Sequence, residues 1–369
     1  MKIIADDRIP FLRGVFEPFA EVVYLPGKKI TPADVADADA LIVRTRTRCD
    51  KNLLQNSTVR FVATATIGFD HIAADELAQL GICWSNAPGC NAVSVKNYIA
   101  SALAAMDMPL AGKTMGIVGV GHVGSKVAVA AEAFGMKVLL NDPPRAEKEG
   151  DAGFVSLDEV LEKSDIVTLH VPLESGGKYP TVNLADDAFF RKMRPGAWFF
   201  NSCRGEAVDK AAFLAAVNSG KLGGSLMDVW PGEPDIGSEL INAVNFGTPH
   251  IAGYSADGKA NGTAASVRYI AGKLGINELL DWKPANLPEP VFPENIDLAG
   301  ITSAAEAVKS AVLHVYDIRN DVRSLRNDPE SFEALRGNYW IRREFSAYTV
   351  YNAPAGAEKA LRMLDFNIG

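Results

Sequence analysis

The sequence predicts an α/β protein: two doubly wound parallel-sheet domains, Rossmann or flavodoxin-like, followed by a small C-terminal α+β domain. Three observations carry this. Short apolar runs of strand length recur between helical or loop segments up to about Ile251; a G-x-G-x-x-G follows one of these runs; and Pro284, Pro288, Pro290 and Pro293 set off the remainder as a linker would. Continuous apolar strands joined by crossovers are the mark of parallel sheets buried on both faces.

The strands of the first series are Lys2–Ala5, Glu21–Leu25, Ala40–Val43, Arg60–Ala63 and Gly81–Trp84, with a short helix at Asp75–Leu80. A second series opens near Lys113 with strand Thr114–Val118, helix His122–Phe134 and strand Lys137–Asn141. Strands at Ile166–His170, Ala197–Asn201, Gly224–Asp228 and around Phe246–Ile251 continue it. The helical stretch Ala256–Leu280 is expected to pack back on the first domain. The boundaries are then 1–93 with 255–283 for a discontinuous substrate domain, 94–254 for an inserted nucleotide-binding domain, and 284–369 for the tail. In the tail, Ser303-Ala304-Ala305-Glu306 fits a capping box, and Val308, Val312, Val315, Val322 and Leu325 follow at helical spacing. Phe345, Ala347, Thr349 and Tyr351 alternate as in a strand, before a last helix near Ala357–Leu364. So small a module buries a marginal core alone, which points to subunit contact and a homodimer.

Composition narrows the function classes. A chain of 369 residues, 48% hydrophobic and 22% charged, is an ordinary globular protein of more than one core. Its net charge of −8 opposes nucleic acid or an anionic membrane surface as the main partner. No apolar run approaches the roughly 18 residues of a membrane span, and Met1–Asp6 reads as a strand rather than a signal peptide. Cys49, Cys83, Cys90 and Cys203 have neither paired nor metal-ligand spacing, so they are expected as reduced thiols of a cytoplasmic protein without a metal.

Gly119-Val120-Gly121-His122-Val123-Gly124 lies between a strand and a helix, and Asp142 ends the next strand. In that context the glycines serve a dinucleotide. Gly119 allows the tight turn, Gly121 admits the pyrophosphate to the backbone, and Gly124 lets helix and strand pack closely. The helix N-terminus faces the diphosphate. Asp142 is suited to the adenosine ribose hydroxyls and repels a 2′-phosphate, so the expected cofactor is NAD; Arg145 nearby is the one residue that argues for NADP. His122, Val123, Thr168 and Cys203 complete the expected cofactor lining.

Arg204, Glu233 and His250 occur at the ends of successive strands of the same domain, where this fold collects its ligands. Their chemistry fits hydride removal from an alcohol carbon. Histidine takes the hydroxyl proton near neutral pH, an acidic partner orients the imidazole, and arginine offers a planar fork to a carboxylate. His71, His122, His170 and His314 are read as packing or hydrogen-bonding residues. Cys203, with no base placed for it, is not read as a nucleophile.

The dinucleotide motif with Cys203-Arg204-Gly205, Asp228-Val229 through Glu233-Pro234, and Thr248-Pro249-His250 resembles the D-isomer-specific 2-hydroxyacid dehydrogenases. The resemblance implies that the arginine binds substrate, the glutamate pairs with the histidine, and the histidine is the acid/base. Strings such as Ala63–His71, Ala87–Ala92, Asn141–Arg145 and His250–Ser255 narrow it to members with an added C-terminal dimerisation domain that act on a small phosphorylated 2-hydroxy acid. By that match Thr45, Thr66 and Tyr254 contact substrate, while Asp228 and Gly253 line the NAD site. Threonine stands at 45 where serine is expected, and keeps the hydroxyl. A substrate phosphate needs a second cationic site. Arg44 and Arg46, in a series with Arg48 that an extended segment would place on one side, are preferred to Arg342-Arg343 of the tail, which would have to reach the site from its own or a partner subunit. Two alternatives share these residues: another dehydrogenase of the family, acting on 3-phosphoglycerate or on glyoxylate or hydroxypyruvate, and a non-catalytic NAD(H)-sensing interaction protein.

Overall fold

A computed structural model describes residues 1–340 and 342–369. It divides into two compact units, Met1–Asn91 with Ser255–Pro288 and Ala92–Tyr254 with Glu289–Gly369. In the first, β1 (Lys2–Asp6), β2 (Glu21–Leu25), β3 (Ala40–Val43), β4 (Phe61–Thr64) and β5 (Cys83–Ser85) form a parallel sheet in the order β2-β1-β3-β4-β5. All four residues of β3 are buried, which is why its sequence is a continuous apolar run. One face packs Ile3, Ala5 and Ile42 against Val267, Ile270 and Ala271 of the helix Ala256–Leu274. The other packs Ile4, Leu41 and Val43 against Val35, Leu53 and Leu77. The long helix starts where Ser255 accepts the Gly258 N–H on its hydroxyl at 2.8 Å, and ends at Gly275 with φ +75°.

The second unit begins with the helix Ala92–Ala105, which the sequence reading passes over. Twelve of its 14 residues are buried. A helix covered all round shows no amphipathic stripe, so periodicity has nothing to detect. Then β6 (Thr114–Val118), β7 (Lys137–Asn141), β8 (Ile166–Leu169), β9 (Ala197–Asn201), β10 (Leu222–Met227) and β11 (Phe246–Gly247) form a parallel sheet in the order β11-β10-β9-β8-β6-β7. The chain runs one way from β6 to β7 and the other way from β8 to β11, so a crevice opens beyond the carboxyl ends of β6 and β8.

The tail adds a parallel sheet of β12 (Asn295–Asp297), β13 (Thr349–Tyr351) and β14 (Asn367–Ile368), in that order, with the helices Ala304–Val315, Ile318–Asn327, Phe332–Gly337 and Ala357–Met363. It does not keep a core to itself. Ala307, Val308, Ala311, Val312 and Leu361 join Tyr98, Leu103, Val127 and Ala131 in one continuous apolar cluster. Polar side chains of Ala92–Ala105 also serve the tail. Ser101 donates to the Tyr316 carbonyl at 2.7 Å, and Lys96 reaches Asp365 at 2.5 Å. The alternation at 345–351 proves to be a 3-10 turn, Phe345–Ala347, before the short strand β13. No helix among the described residues is long and apolar enough to cross a membrane. The four cysteines are unbridged.

Candidate active site

β6 runs into the glycine loop and the helix His122–Ala133. Gly119 has φ +87°, and a Cβ there would lie 2.6 Å from the His170 carbonyl oxygen; one on Gly124 would overlap the Gly119 carbonyl oxygen. Gly121 faces open space. The loop is thus packed tightly beneath and open above, where the first N–H groups of the helix can meet a diphosphate. His122 is exposed and Val123 half-buried at the start of that helix. Asp142 caps Pro143–Glu149 by accepting the Arg145 N–H at 3.1 Å, and its other oxygen accepts the Val120 N–H at 2.8 Å. Its charge is therefore held beside the glycine loop. Arg145 is committed elsewhere, to Glu149 at 2.9 and 2.7 Å and to the Val120 carbonyl at 2.5 Å. The corner thus presents a carboxylate rather than an available cation, the arrangement that suits ribose hydroxyls and disfavours a 2′-phosphate.

Two expected cofactor residues lie differently. Thr168 is 0% exposed inside β8, with its hydroxyl 3.0 Å from His170 Nε2. It offers a cofactor no surface; the strand exit beside the glycine turn belongs instead to His170 and Val171, whose Cγ1 is 2.9 Å from the Gly119 Cβ position. Burial holds the His170 imidazole down at about 3, so it is neutral. Cys203 is buried with its thiol 3.1 Å from Asn201 Oδ1, and burial pushes that thiol up, which keeps it protonated.

The catalytic candidates come from three adjacent strand exits. After β9, Asn201 folds the turn by accepting the Cys203 N–H at 3.1 Å and donating to the Arg204 carbonyl at 2.9 Å. Arg204 is half-buried, with Nη1 donating to the Cys203 carbonyl at 2.7 Å. After β10, Glu233 accepts the Trp230 N–H on Oε2 at 3.3 Å, and its Oε1 lies 2.5 Å from His250 Nδ1. Burial alone would raise the Glu233 carboxyl. The His250 hydrogen bond and charge, with the charge of Arg336, outweigh it and hold the group below its usual range. An ionised Glu233 can only accept, so Nδ1 carries a proton and Nε2 is the nitrogen left for chemistry.

Trp230, inside the Asp228-to-Pro234 string, laces these exits together. Its indole donates to the Thr248 carbonyl at 2.9 Å, and a Cβ on Gly205 would overlap its own carbonyl group. Only glycine at 205 lets the Arg204 turn close on the Glu233 loop. His250 itself has φ +58°, a left-handed conformation that costs a non-glycine residue about 1–3 kcal/mol. Asp228 stabilises that turn. It is 1% exposed and accepts the Thr248 hydroxyl at 2.7 Å, the Ile251 N–H at 2.7 Å and the Ala252 N–H at 2.9 Å. Gly253 follows directly. Tyr254 packs edge-on to Tyr339 at 6.1 Å, with the Arg336 guanidinium 5.9 Å from its ring.

In the first unit the expected substrate residues sit at the carboxyl edge of the sheet. Thr66, just beyond β4, shares a 2.8 Å contact with Thr64, which in turn meets His71 Nε2 at 2.9 Å; Thr66 also donates to the Gly68 carbonyl at 2.8 Å. Thr45 and Arg46 are exposed beyond β3. The 44–48 segment is a turn, not the extended stretch its spacing suggested. Arg44 pairs with buried Asp6 at 3.5 Å, and Arg48 with Asp50 at 3.7 Å. Arg342 is 1% exposed in the core of its own unit and is no candidate for a phosphate, from this subunit or a partner.

Residues 89–252 match the family described as D-isomer specific 2-hydroxyacid dehydrogenase, NAD binding domain, and residues 287–364 match a domain of unknown function (DUF3410). The chain is 48% identical over 355 residues to the erythronate-4-phosphate dehydrogenase of Bacteroides fragilis, covering 95% of this chain and 99% of that one. The chain belongs to the erythronate-4-phosphate dehydrogenase family. The Escherichia coli member is 41% identical across 100% of this chain and 98% of its own. Among solved structures, 3-phosphoglycerate dehydrogenase of Entamoeba histolytica with NAD+ and D-lactate dehydrogenase of Aquifex aeolicus with NAD and lactic acid each superpose with a TM-score of 0.64. Each is 24% identical and covers 78% of this chain, with 99% and 100% of those chains matched, so they show the fold alone.

In this family member, NAD is the cofactor of the second unit and the chain is an NAD-dependent dehydrogenase. The residues that sequence reasoning missed, Trp230 and Arg336, are large side chains in separate segments of the chain. Only the Trp230-Pro231-Gly232-Glu233-Pro234 string, already singled out for its glutamate, carried a signal for any of them.

Proposed function

We propose that this chain oxidises 4-phospho-D-erythronate at C2 to 2-oxo-3-hydroxy-4-phosphobutanoate, a step toward pyridoxal 5′-phosphate. The observation that carries the proposal is the 2.5 Å Glu233–His250 pair on strand exits adjoining Arg204, in a chain 48% identical to an erythronate-4-phosphate dehydrogenase. NAD, held along the glycine loop, would supply the hydride acceptor for C2. His250 Nε2 takes the hydroxyl proton, and Glu233 stabilises the imidazolium that forms. Arg204 holds the carboxylate and polarises the oxygen at C2. Gly121, His122, Val123, Asp142, Asp228 and Gly253 shape the cofactor site, the last two through the turn that carries His250. Thr45, Thr66 and Tyr254 hold the substrate hydroxyls, and Arg44 with Arg46 supply charge for its phosphate. The tail is the dimerisation element of a cytoplasmic homodimer, a compartment that four unbridged cysteines suit.

The test is NADH formation with 4-phospho-D-erythronate beside 3-phosphoglycerate and lactate. A kcat/KM for either competitor equal to that for phosphoerythronate refutes the substrate assignment. Light scattering that returns a monomer mass refutes the dimer.

A further inference from the structure

The strained turn that presents His250 is held on two edges, and only one of them belongs to the nucleotide-binding fold. Asp228 secures the N–H edge through Ile251 and Ala252. The carbonyl edge of the same two peptides meets Arg342, from the C-terminal tail. Arg342 Nη2 donates to the Ala252 carbonyl at 2.8 Å, with the Ile251 carbonyl at 3.5 Å and the Ser94 hydroxyl at 3.3 Å. Its guanidinium carbon lies 4.2 Å from the centre of the Tyr316 ring. That ring is fixed in turn, since Tyr316 and Tyr339 both donate to Asp321, at 2.8 and 2.7 Å. Tyr98 completes the cage with its hydroxyl 2.6 Å from that of Thr248.

A guanidinium is an expensive group to bury, and this one is 1% exposed. Packing alone would be served as well by an apolar side chain of similar length. What the charge adds is a donor on the carbonyl side of two peptides whose N–H groups face an anion. A left-handed φ of +58° at His250 persists only where the surroundings hold it, and here both edges of the turn are held.

We propose that Arg342 is a positioning residue for the reaction: from the tail it clamps the Ile251–Ala252 carbonyls and so keeps His250 Nδ1 on Glu233. The proposal rests on the reading of His250 as the acid/base. It gives the tail a part in catalysis within its own subunit, apart from any role in assembly.

The experiment uses the full-length holoenzyme and variants Arg342→Met and Arg342→Lys, assayed with 4-phospho-D-erythronate well below each variant's melting point. Arg342→Met is expected to lose roughly 10- to 100-fold in kcat, as a displaced acid/base does, with KM and NAD affinity within about threefold of wild type. Its kcat–pH profile shifts, and Arg342→Lys recovers part of the loss. A residue that only supports the fold lowers the melting point and leaves kcat and the profile unchanged. A folded Arg342→Met with wild-type kcat and profile therefore overturns the proposal. Should Arg342→Met not fold, Arg342→Gln, which keeps a polar side chain but removes the charge, decides, and wild-type kcat with an unshifted profile in it overturns the proposal. His250→Asn is run alongside. If it keeps wild-type turnover, the acid/base reading falls and this proposal with it; if it is inactive while the Arg342 variants are normal, only the positioning role falls.

Discussion

Replacing Glu233 by glutamine tests the centre of the site with little change in shape. Glutamine keeps one acceptor oxygen for His250 Nδ1, which stands 2.5 Å from Oε1, and puts an amide nitrogen in place of Oε2, giving up the longer 3.3 Å bond from the Trp230 N–H. What it removes is the negative charge. A charge-assisted hydrogen bond of this kind contributes roughly 1.5–3 kcal/mol, and it acts most where the imidazole becomes imidazolium, in the transition state of oxidation. The expected loss in kcat is therefore about ten- to a hundredfold, with NAD affinity and KM little changed. The pH dependence carries a sign. The folded structure holds the Glu233 carboxyl below its usual range, so its charge is present throughout neutral pH and is lost only in acid below the ordinary carboxylate range. Wild-type activity should show no acid limb from this group between about pH 5 and 8. In the reductive direction the proton donor is the imidazolium, so the glutamine variant should lose rate at lower pH than wild type as the medium is made alkaline. Stopped-flow measurement of NADH formation and consumption across pH gives both. A variant with wild-type kcat and an unmoved alkaline limb refutes the pairing as a catalytic device.

Asp142→Ala removes the charge held beside the glycine loop and should raise the NADP/NAD ratio of kcat/KM; an unchanged ratio means the ribose lies elsewhere. Arg44→Gln or Arg46→Gln should raise KM for phosphoerythronate far more than for unphosphorylated erythronate, by about ten- to a hundredfold for one lost charge-assisted contact. Equal effects on both substrates refute the phosphate role. His170 stays neutral down to about pH 3 in the folded chain, whereas the unfolded chain takes up its proton below about 6.5. Its contribution is whole above that value and falls by roughly 1.4 kcal/mol per pH unit toward 3, so His170→Asn should lose less thermal stability than wild type between pH 7.5 and 5; equal losses in a melting series refute this.

The sequence by itself determined the elements whose signals are local. Apolar runs such as Ala40–Val43 and Thr114–Val118 are buried strands because the sheet covers them on both faces. The glycine spacing marks a turn that admits no Cβ, and Asp142 sits at the end of the following strand because the next turn needs its cap. Arg204, Glu233 and His250 were legible for the same reason, since strand exits are where this sheet gathers polar groups. What only the tertiary structure decided depends on partners distant in the chain. The helix Ala92–Ala105 is invisible to periodicity because the domain and the tail bury opposite sides of it. Thr168 turns into the sheet rather than toward the crevice, and Arg44 and Arg48 part company across the turn closed by the Thr47 N–H on the Arg44 carbonyl, each beside its own carboxylate, Asp6 or Asp50. Arg342 could be read as a surface cation from its neighbours in sequence. Its burial follows from contacts some ninety residues back, with the carbonyls of the turn that carries His250. Local patterns report what a residue does to its own backbone, and a side chain clamped by a remote segment leaves no trace in them.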